Sequence, residues 1–407
     1  MKYSQLFSKT AKNVSGDEPS INAQLLTKAG FITKEISGVY NYLPLGLKTL
    51  RKIENIVRAA MDQTGAQEIL MPSMTGLESW QATNRQNFDV LFHLKGRDET
   101  ELVLNPTHEE VITPLLQKFV FSYKDLPQAI YQIQTKFRNE PRAKSGLLRG
   151  REFLMKDLYS FHTDVADLET YYEKMKEVYF AIYRQVGLGK ITLLTYASGG
   201  AFSKYSHEFQ VLADVGEDTI YLCERCLVAV NKEIIADQPT CPVCGSQHLV
   251  EKQAIEAGNI FKLGTKFSGS LGFKYADQNG EQQLVEMGCY GLGISRLMGI
   301  IAEISHDDRG LIWPQSVAPF AAHLISLPGA EIKAQHLYDQ LIQAGVEVLW
   351  DDRVESAGSK FAHADLIGLP VRLVVSPKTG EQVEWKNRSG ANTELIAVNE
   401  AAGRLKA

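Results

Sequence analysis

Four cysteines fall in two pairs, Cys223-Glu224-Arg225-Cys226 and Cys241-Pro242-Val243-Cys244, with fourteen residues between them. Four thiolates at this spacing make a tetrahedral site of the kind Zn²⁺ prefers, and Gly245 after the second pair lets the backbone turn around the metal. Protein would fill every coordination position, which leaves no open one for catalysis. A structural zinc on Cys223, Cys226, Cys241 and Cys244 is expected, and Cys289 lies outside the set.

A second group is Phe137-Arg138-Asn139-Glu140, faced by Arg151-Glu152-Phe153. An arginine followed two positions later by a carboxylate points both to one face of a strand, where they grip opposite ends of a polar ligand such as a nucleotide. An ordinary surface strand carries the same pattern. Gly291-Leu292-Gly293-Ile294-Ser295-Arg296 lacks the last glycine of a dinucleotide fingerprint. Arg296 at the start of a helix suits phosphate, although a solvated arginine fits equally. In Asn105-Pro106-Thr107-His108-Glu109-Glu110, a hydroxyl and carboxylates stand just before a helix, where Thr107 and Glu110 also form a capping box on paper.

The elements that position these groups follow from periodicity. Leu47, Leu50, Ile53, Ile56, Val57, Ala60 and Met61 recur at helical spacing, and Gly65 marks the stop. Residues 68–72 read as a short apolar strand closed by Pro72, hence an edge or an interface. Tyr131 to Arg138 and Arg151 to Ser160 read as a hairpin with a long basic loop. Leu168, Tyr171, Tyr172, Met175, Val178, Tyr179, Ile182, Tyr183 and Val186 form a helical stripe ended by Gly187. Strands resume around Phe261 to Tyr275, and Leu297 to Ile304 reads as a helix. Arg309 to Pro314 reads as a linker. Beyond it, apolar strands at 321–327, 346–350 and 371–376 alternate with helices near 332–344 and 358–368, the pattern of a small α/β domain.

At 407 residues the chain calls for two or three domains. Its 44% apolar and 22% charged residues exclude a largely disordered chain. With 43 Lys+Arg against 48 Asp+Glu, any nucleic-acid contact must use a local basic patch. The N-terminus lacks the apolar core of a signal peptide and no apolar run nears the ~20 residues of a membrane span, so a cytoplasmic protein without membrane contact is expected.

Taken in order, the pieces resemble the class II aminoacyl-tRNA synthetases, and among them the bacterial-type prolyl-tRNA synthetases. The resemblance runs over nearly the whole chain, through Tyr40-Asn41-Tyr42-Leu43-Pro44-Leu45-Gly46, Met71-Pro72, Pro106-Thr107-His108-Glu109-Glu110, Phe137-Arg138-Asn139-Glu140, Gly150-Arg151-Glu152-Phe153, Met155-Lys156-Asp157, Tyr159-Ser160-Phe161-His162, Ser206-His207-Glu208-Phe209 and the Arg296 segment. It implies an α+β fold: an antiparallel-sheet catalytic domain over residues 1–312 with a zinc-ribbon insertion at about 221–250, then an α/β anticodon-binding domain over 313–407. The implied ligands are ATP, Mg²⁺, L-proline and tRNA(Pro), and the implied assembly is a homodimer through the early helix and Met71-Pro72.

By the same resemblance Arg138 holds the α-phosphate, Glu140 the adenine amino group and Arg296 the γ-phosphate, while Phe153 stacks on adenine. Thr107 and Glu109 receive the imino group of proline. Phe161, His162 and His207 shape the pocket for its ring and carboxylate, and Glu286 is a candidate magnesium ligand. Arg142, Lys144 and Arg149 guide the acceptor end of tRNA. Two features depart from the family. The interval after the hairpin holds only the cysteine pairs and short flanks, which implies no cis editing of alanyl-tRNA, and residues 201–205 exceed the usual spacer. Rival readings are a synthetase for threonine, a catalytically inactive RNA-binding paralogue, and a zinc-ribbon nucleic-acid module.

Overall fold

Contacts in the computed structural model, which describes residues 1–11, 20–143 and 145–406, divide the chain into two units. One comprises Ser37–Val39 and Glu54–Ile300; the other comprises Met1–Ile36, Tyr40–Ile53 and Ile301–Ala407. Compactness thus groups the N-terminal stretch with the C-terminal one, a division that chain order does not contain.

The first unit is built on nine strands: Gln67–Glu68 (β1), Gln128–Phe137 (β2), Glu152–His162 (β3), Thr192–Ser198 (β4), Tyr205–Leu212 (β5), Asp218–Cys223 (β6), Val228–Asn231 (β7), Val250–Gly264 (β8) and Glu286–Gly293 (β9). Their order is β5-β4-β7-β6-β8-β9-β3-β2-β1. All neighbours run antiparallel except β7 with β4 and β1 with β2. The expected strand at 68–72 shrinks to the edge strand β1, in keeping with Pro72, which has no N–H for a ladder.

Helix α1 spans Glu109–Leu116, α2 spans Val165–Gln185 and α3 begins at Ile294. Asp164 caps α2 by accepting from the Asp167 N–H, and Leu168, Tyr172, Met175, Tyr179, Ile182 and Tyr183 give it one buried stripe. That stripe covers one face of the sheet. The register decides which strand residues it meets. Tyr131, Leu158, Tyr290, Ile260 and His207 lie opposite one another across five strands. The first four are fully buried, and the Tyr172 hydroxyl reaches both the Ile260 carbonyl and His207. One residue along, Gln132, Asp157, Gly291, Asn259 and Glu208 form the adjoining row, which faces the other way.

The cysteine segment does not stand apart from this sheet as an inserted ribbon. Besides its place in the order, β5 pairs with β8, so β5, β4, β7, β6 and β8 close into a ring around Leu193, Ile220, Leu222, Ala229 and Ala254. Closure satisfies strand edges that an isolated ribbon would expose.

In the second unit Ala322–Ser326 (β10), Val348–Asp351 (β11), Val371–Val375 (β12), Gln382–Asn387 (β13) and Thr393–Ala397 (β14) form a sheet ordered β11-β10-β12-β13-β14. The first three are parallel and the last two antiparallel. Helices Glu331–Gln343, Ala357–Ile367 and Val398–Lys406 accompany them. The stretch expected as a linker is folded: Gly310–Leu311 pairs with His306–Asp307, and Arg388 forks onto the Asp307 carboxylate at 2.6 and 2.8 Å. Among the described residues no helix is long and apolar enough to cross a membrane.

Candidate functional site

A cavity of about 260 Å³ opens on the sheet face turned away from α2. Asp157, Gly291 and Asn259 of the polar row line it, together with Phe153 and Met155 from β3 and Cys289 and Gly293 from β9. Two glycines on β9 leave its floor free of side chains. Thr107 closes one end; Arg138, Glu256 and Arg296 close the other and continue into a cleft of about 200 Å³ with Glu140 and Arg149.

Arg138 follows the last residue of β2 and is held there by its N–H to the Arg151 carbonyl. Among the described residues its Nε finds no hydrogen-bond partner, and its guanidinium carbon lies 5.2 Å from the Phe153 ring centre. Burial and then the Arg296 cation lower its pKa from the usual value. Arg296, in the first turn of α3, donates to the Leu148 carbonyl at 2.8 Å and to the Glu256 carboxylate at 2.9 Å. Two cations facing one cavity, with Glu256 the one carboxylate paired to Arg296 there among the described residues, favour an anion. Glu140 reaches the cleft by a tight turn, its N–H bonding the Arg138 carbonyl, and not by strand alternation. Its carboxylate accepts from Arg149 Nε at 2.8 Å.

At the other end Thr107 donates to Glu109 Oε2 at 2.6 Å, Cys289 donates to Oε1 at 3.1 Å, and Arg85 Nη1 lies 3.5 Å from Oε2. The capping box open to Thr107 and Glu110 does not form: Glu110 instead accepts from Arg85 and Thr83, each at 2.8 Å. Burial, opposed by Arg85, pushes Glu110 up to about 7. Sequence reading missed Arg85, which lies among the rings of Trp80, Phe88, Phe202 and Phe267; it also missed Glu256 beside Arg296.

Several expected residues sit elsewhere. His207 and His162 lie on the α2 face. The first is bonded to Tyr172 at 2.8 Å and lowered to about 3 by burial, the second bonded to Asp167 at 2.7 Å. Glu286 stands opposite His162 on that face and lines a different cavity, with Thr163 and Asp164. Five strand residues, about 17 Å, separate it from Gly291, which lines the cavity that Arg296 closes. Phe161 is on the cavity face but two side chains past Asp157, fully buried against Phe273. Arg149 is engaged by Glu140 and Glu217, Arg142 is exposed, and Lys144 lies outside the described residues.

The cysteines converge. Their four sulfurs lie within 4.8 Å of one another, and Cys223 and Cys244 Sγ are 3.8 Å apart. Tetrahedral Zn–S bonds of about 2.3 Å require sulfurs about 3.8 Å apart, so the donor set fits zinc. The two knuckles repeat one geometry: Leu227 N–H bonds the Cys223 carbonyl and Gly245 N–H bonds the Cys241 carbonyl, each at 2.9 Å. Both residues have positive φ, 55° and 71°. For Leu227 this costs about 1–2 kcal/mol.

Comparison with known proteins finds matches over most of the chain. The tRNA synthetase class II core domain (G, H, P, S and T) matches residues 92–305 and the anticodon binding domain matches 317–407. The chain is 38% identical to the proline–tRNA ligase of Ehrlichia chaffeensis over 426 positions, and 38% identical to that of Phenylobacterium zucineum over 441, with all of both chains covered. It is 31% identical to that of Dehalococcoides mccartyi over 561 positions, covering all of this chain and 98% of the relative. In fold it resembles the prolyl-tRNA synthetase of Cryptosporidium parvum solved with L-proline and AMP, with a TM-score of 0.77 at 20% identity over 95% of this chain and 74% of that one.

Proposed function

This chain belongs to the prolyl-tRNA synthetases, and on that premise we propose that it activates L-proline with ATP to prolyl-adenylate and transfers proline to the 3′ end of tRNA(Pro). The observation that carries the reading is the pair Arg138 and Arg296 in one cavity, with Arg138 Nε unpartnered among the described residues. Arg138 would hold the α-phosphate and Arg296 the γ-phosphate, with adenine stacked on Phe153 and its amino group near Glu140. Glu256, beside Arg296, would be the carboxylate that shares Mg²⁺ with the phosphates. Proline would enter at the opposite end, its imino group on Thr107 and Glu109.

The proline carboxylate is already a nucleophile and needs no general base. Attack on the α-phosphorus releases pyrophosphate, and the chain's part is to position the two anions and offset the charge that grows on the phosphoryl oxygens. The tRNA ribose hydroxyl then attacks the adenylate carbonyl, the acyl–phosphate bond breaks, and AMP leaves as the hydroxyl proton passes to its phosphate or to water. Residues 1–312 would serve catalysis and 313–407 the anticodon, with Arg142 and Lys144 meeting acceptor phosphates. The engagement of Arg149 by two carboxylates favours a role in holding Glu140. A zinc on Cys223, Cys226, Cys241 and Cys244 would tie the β6–β7 turn to the start of β8. The exposed Leu70, Met74, Phe119 and Phe121 support a homodimer contact beside Met71-Pro72.

We further read the chain as lacking cis editing. The alignment with the Dehalococcoides mccartyi enzyme runs over 154 more positions than this chain has residues, whereas those with the 38% relatives exceed it by a few tens at most. Pyrophosphate exchange measured with each of the twenty amino acids tests the main reading: proline alone should drive it. Exchange driven by threonine, or by none, would refute it.

A further inference from the structure

Beneath the amino-acid end of the cavity lies a buried polar ring with no part in the steps above. Lys136, on β2 opposite Phe153, is fully buried and does not line the cavity. Its Nζ stands 2.8 Å from Asp157 Oδ1 and donates to His108 Nδ1 at 2.6 Å. The His108 backbone N–H donates to the Tyr159 hydroxyl at 2.9 Å, and that hydroxyl donates to Asp157 Oδ2 at 2.9 Å. Lysine, histidine, tyrosine and aspartate thus close a ring of three hydrogen bonds and one ion pair. Two further bonds anchor it: Gln132 donates to Asp157 at 3.0 Å, and His108 Nε2 meets the Pro72 carbonyl at 2.9 Å. The second fixes the tautomer: Nε2 carries the proton, leaving Nδ1 to accept from the ammonium.

Burying an ion pair rarely adds stability, because desolvation offsets the attraction, and an apolar pair of similar volume often does as well. What the ring supplies is geometry. It grips His108 by backbone and side chain at once, and His108 is the middle residue between Thr107 and Glu109. We propose that Lys136 is a positioning residue for the amino-acid half of the reaction: through His108 and Asp157 it holds the Thr107–Glu109 turn at the distance and angle that an imino substrate needs. The ATP end lacks this dependence, since Arg138 and Arg296 are held by the Arg151, Leu148 and Glu256 carbonyls.

The inference rests on the amino-acid site proposed above, and the two fail separately. Absence of proline-dependent exchange in the unaltered chain defeats the site assignment; the variants below test only Lys136. In the full chain, Lys136→Met removes the charge and both contacts, while Lys136→Gln keeps one amide donor. Proline-dependent exchange should show the KM for proline raised about tenfold or more in Lys136→Met, with the KM for ATP changed less than twofold. Lys136→Gln should recover part of the loss. The proposal is overturned if both KM values rise together, if a folded Lys136→Met keeps the proline KM, or if Lys136→Gln is no better than Lys136→Met. Failure of both variants to fold also overturns it, since Lys136 would then serve the fold itself. If only Lys136→Met fails to fold, the same split of KM values in Lys136→Gln decides.

Discussion

Along the cavity face of the central sheet the row Gln132, Asp157, Gly291, Asn259 and Glu208 offers polar groups and a bare glycine; one residue further along each strand, Tyr131, Leu158, Tyr290, Ile260 and His207 are packed under α2. The same five strands make both rows. Even the charges obey the division. His207 is lowered to about 3, first by burial and then by the Lys176 and Lys262 cations, whereas its neighbour Glu208 is pushed up to about 8 by burial and by Glu256. The proposed reaction uses the face where glycines leave room and arginines supply charge, while the other face converts polar side chains into fillers of a tyrosine-rich core. A histidine in this fold is therefore not a catalytic candidate until its face is known.

The contrast predicts unequal costs. Arg138→Ala, on the cavity face, should lower kcat for proline-dependent exchange about 100- to 1,000-fold, the usual loss of one charge-stabilising donor, with the melting temperature nearly unchanged. An unchanged kcat would place the nucleotide elsewhere. Next comes the ring of strands that serves both faces. Removing zinc by chelation, or Cys223→Ser, should lower the melting temperature by about 10 °C, corresponding to several kcal/mol in a unit of this size. A metal analysis finding no zinc, with no thermal effect of Cys223→Ser, contradicts the metal reading.

The adjacent residues His207 and Glu208 should then titrate stability in opposite directions. A histidine whose folded pKa lies below its unfolded value near 6.5 lends stability above pH 6.5 that is lost as pH falls toward 3. A carboxyl whose folded pKa is about 8 lends stability that is complete below about pH 4.5 and lost as pH rises through 8. Urea unfolding at several pH values should show the wild-type advantage over Glu208→Gln shrinking from pH 5 to 8, and that over His207→Gln shrinking from pH 6.5 to 4. Each slope is at most about 1.4 kcal/mol per pH unit. Parallel slopes would erase the distinction between the faces. Smallest of all, His162→Ala and Glu286→Gln should change kcat/KM less than about threefold and leave the magnesium dependence alone; a tenfold loss in either would bring the α2 face back into the reaction.

Much of this was legible in advance. The α2 stripe ending at Gly187, the hairpin β2–β3, the cysteine set and the C-terminal alternation of strand and helix all appear where side-chain period and turn residues put them. Parity along β3 was also available: if Phe153 faces the ligand, an alternating strand turns His162 away. The parity of His207 and Glu286 was not available, because it depends on which residue of β5 or β9 faces which residue of β3, and register is a long-range property. Arg85 and Lys136 were invisible for a related reason, since a charged residue in an apolar context gives no local sign of the partner that justifies its burial.

By itself the sequence determined the inventory: the Arg138–Glu140 and Arg296 segments, the four thiols, the Thr107–Glu109 turn and the helical periods are local facts, set by residue type and spacing. Only the tertiary structure decided which side of the sheet each strand residue serves, that the β5–β8 pairing closes a ring of which the cysteine segment is part, and that a buried lysine stands under the Thr107–Glu109 turn. A one-residue slip in register reverses every side chain on a strand, and the packing of α2 against one face is what holds that register in place.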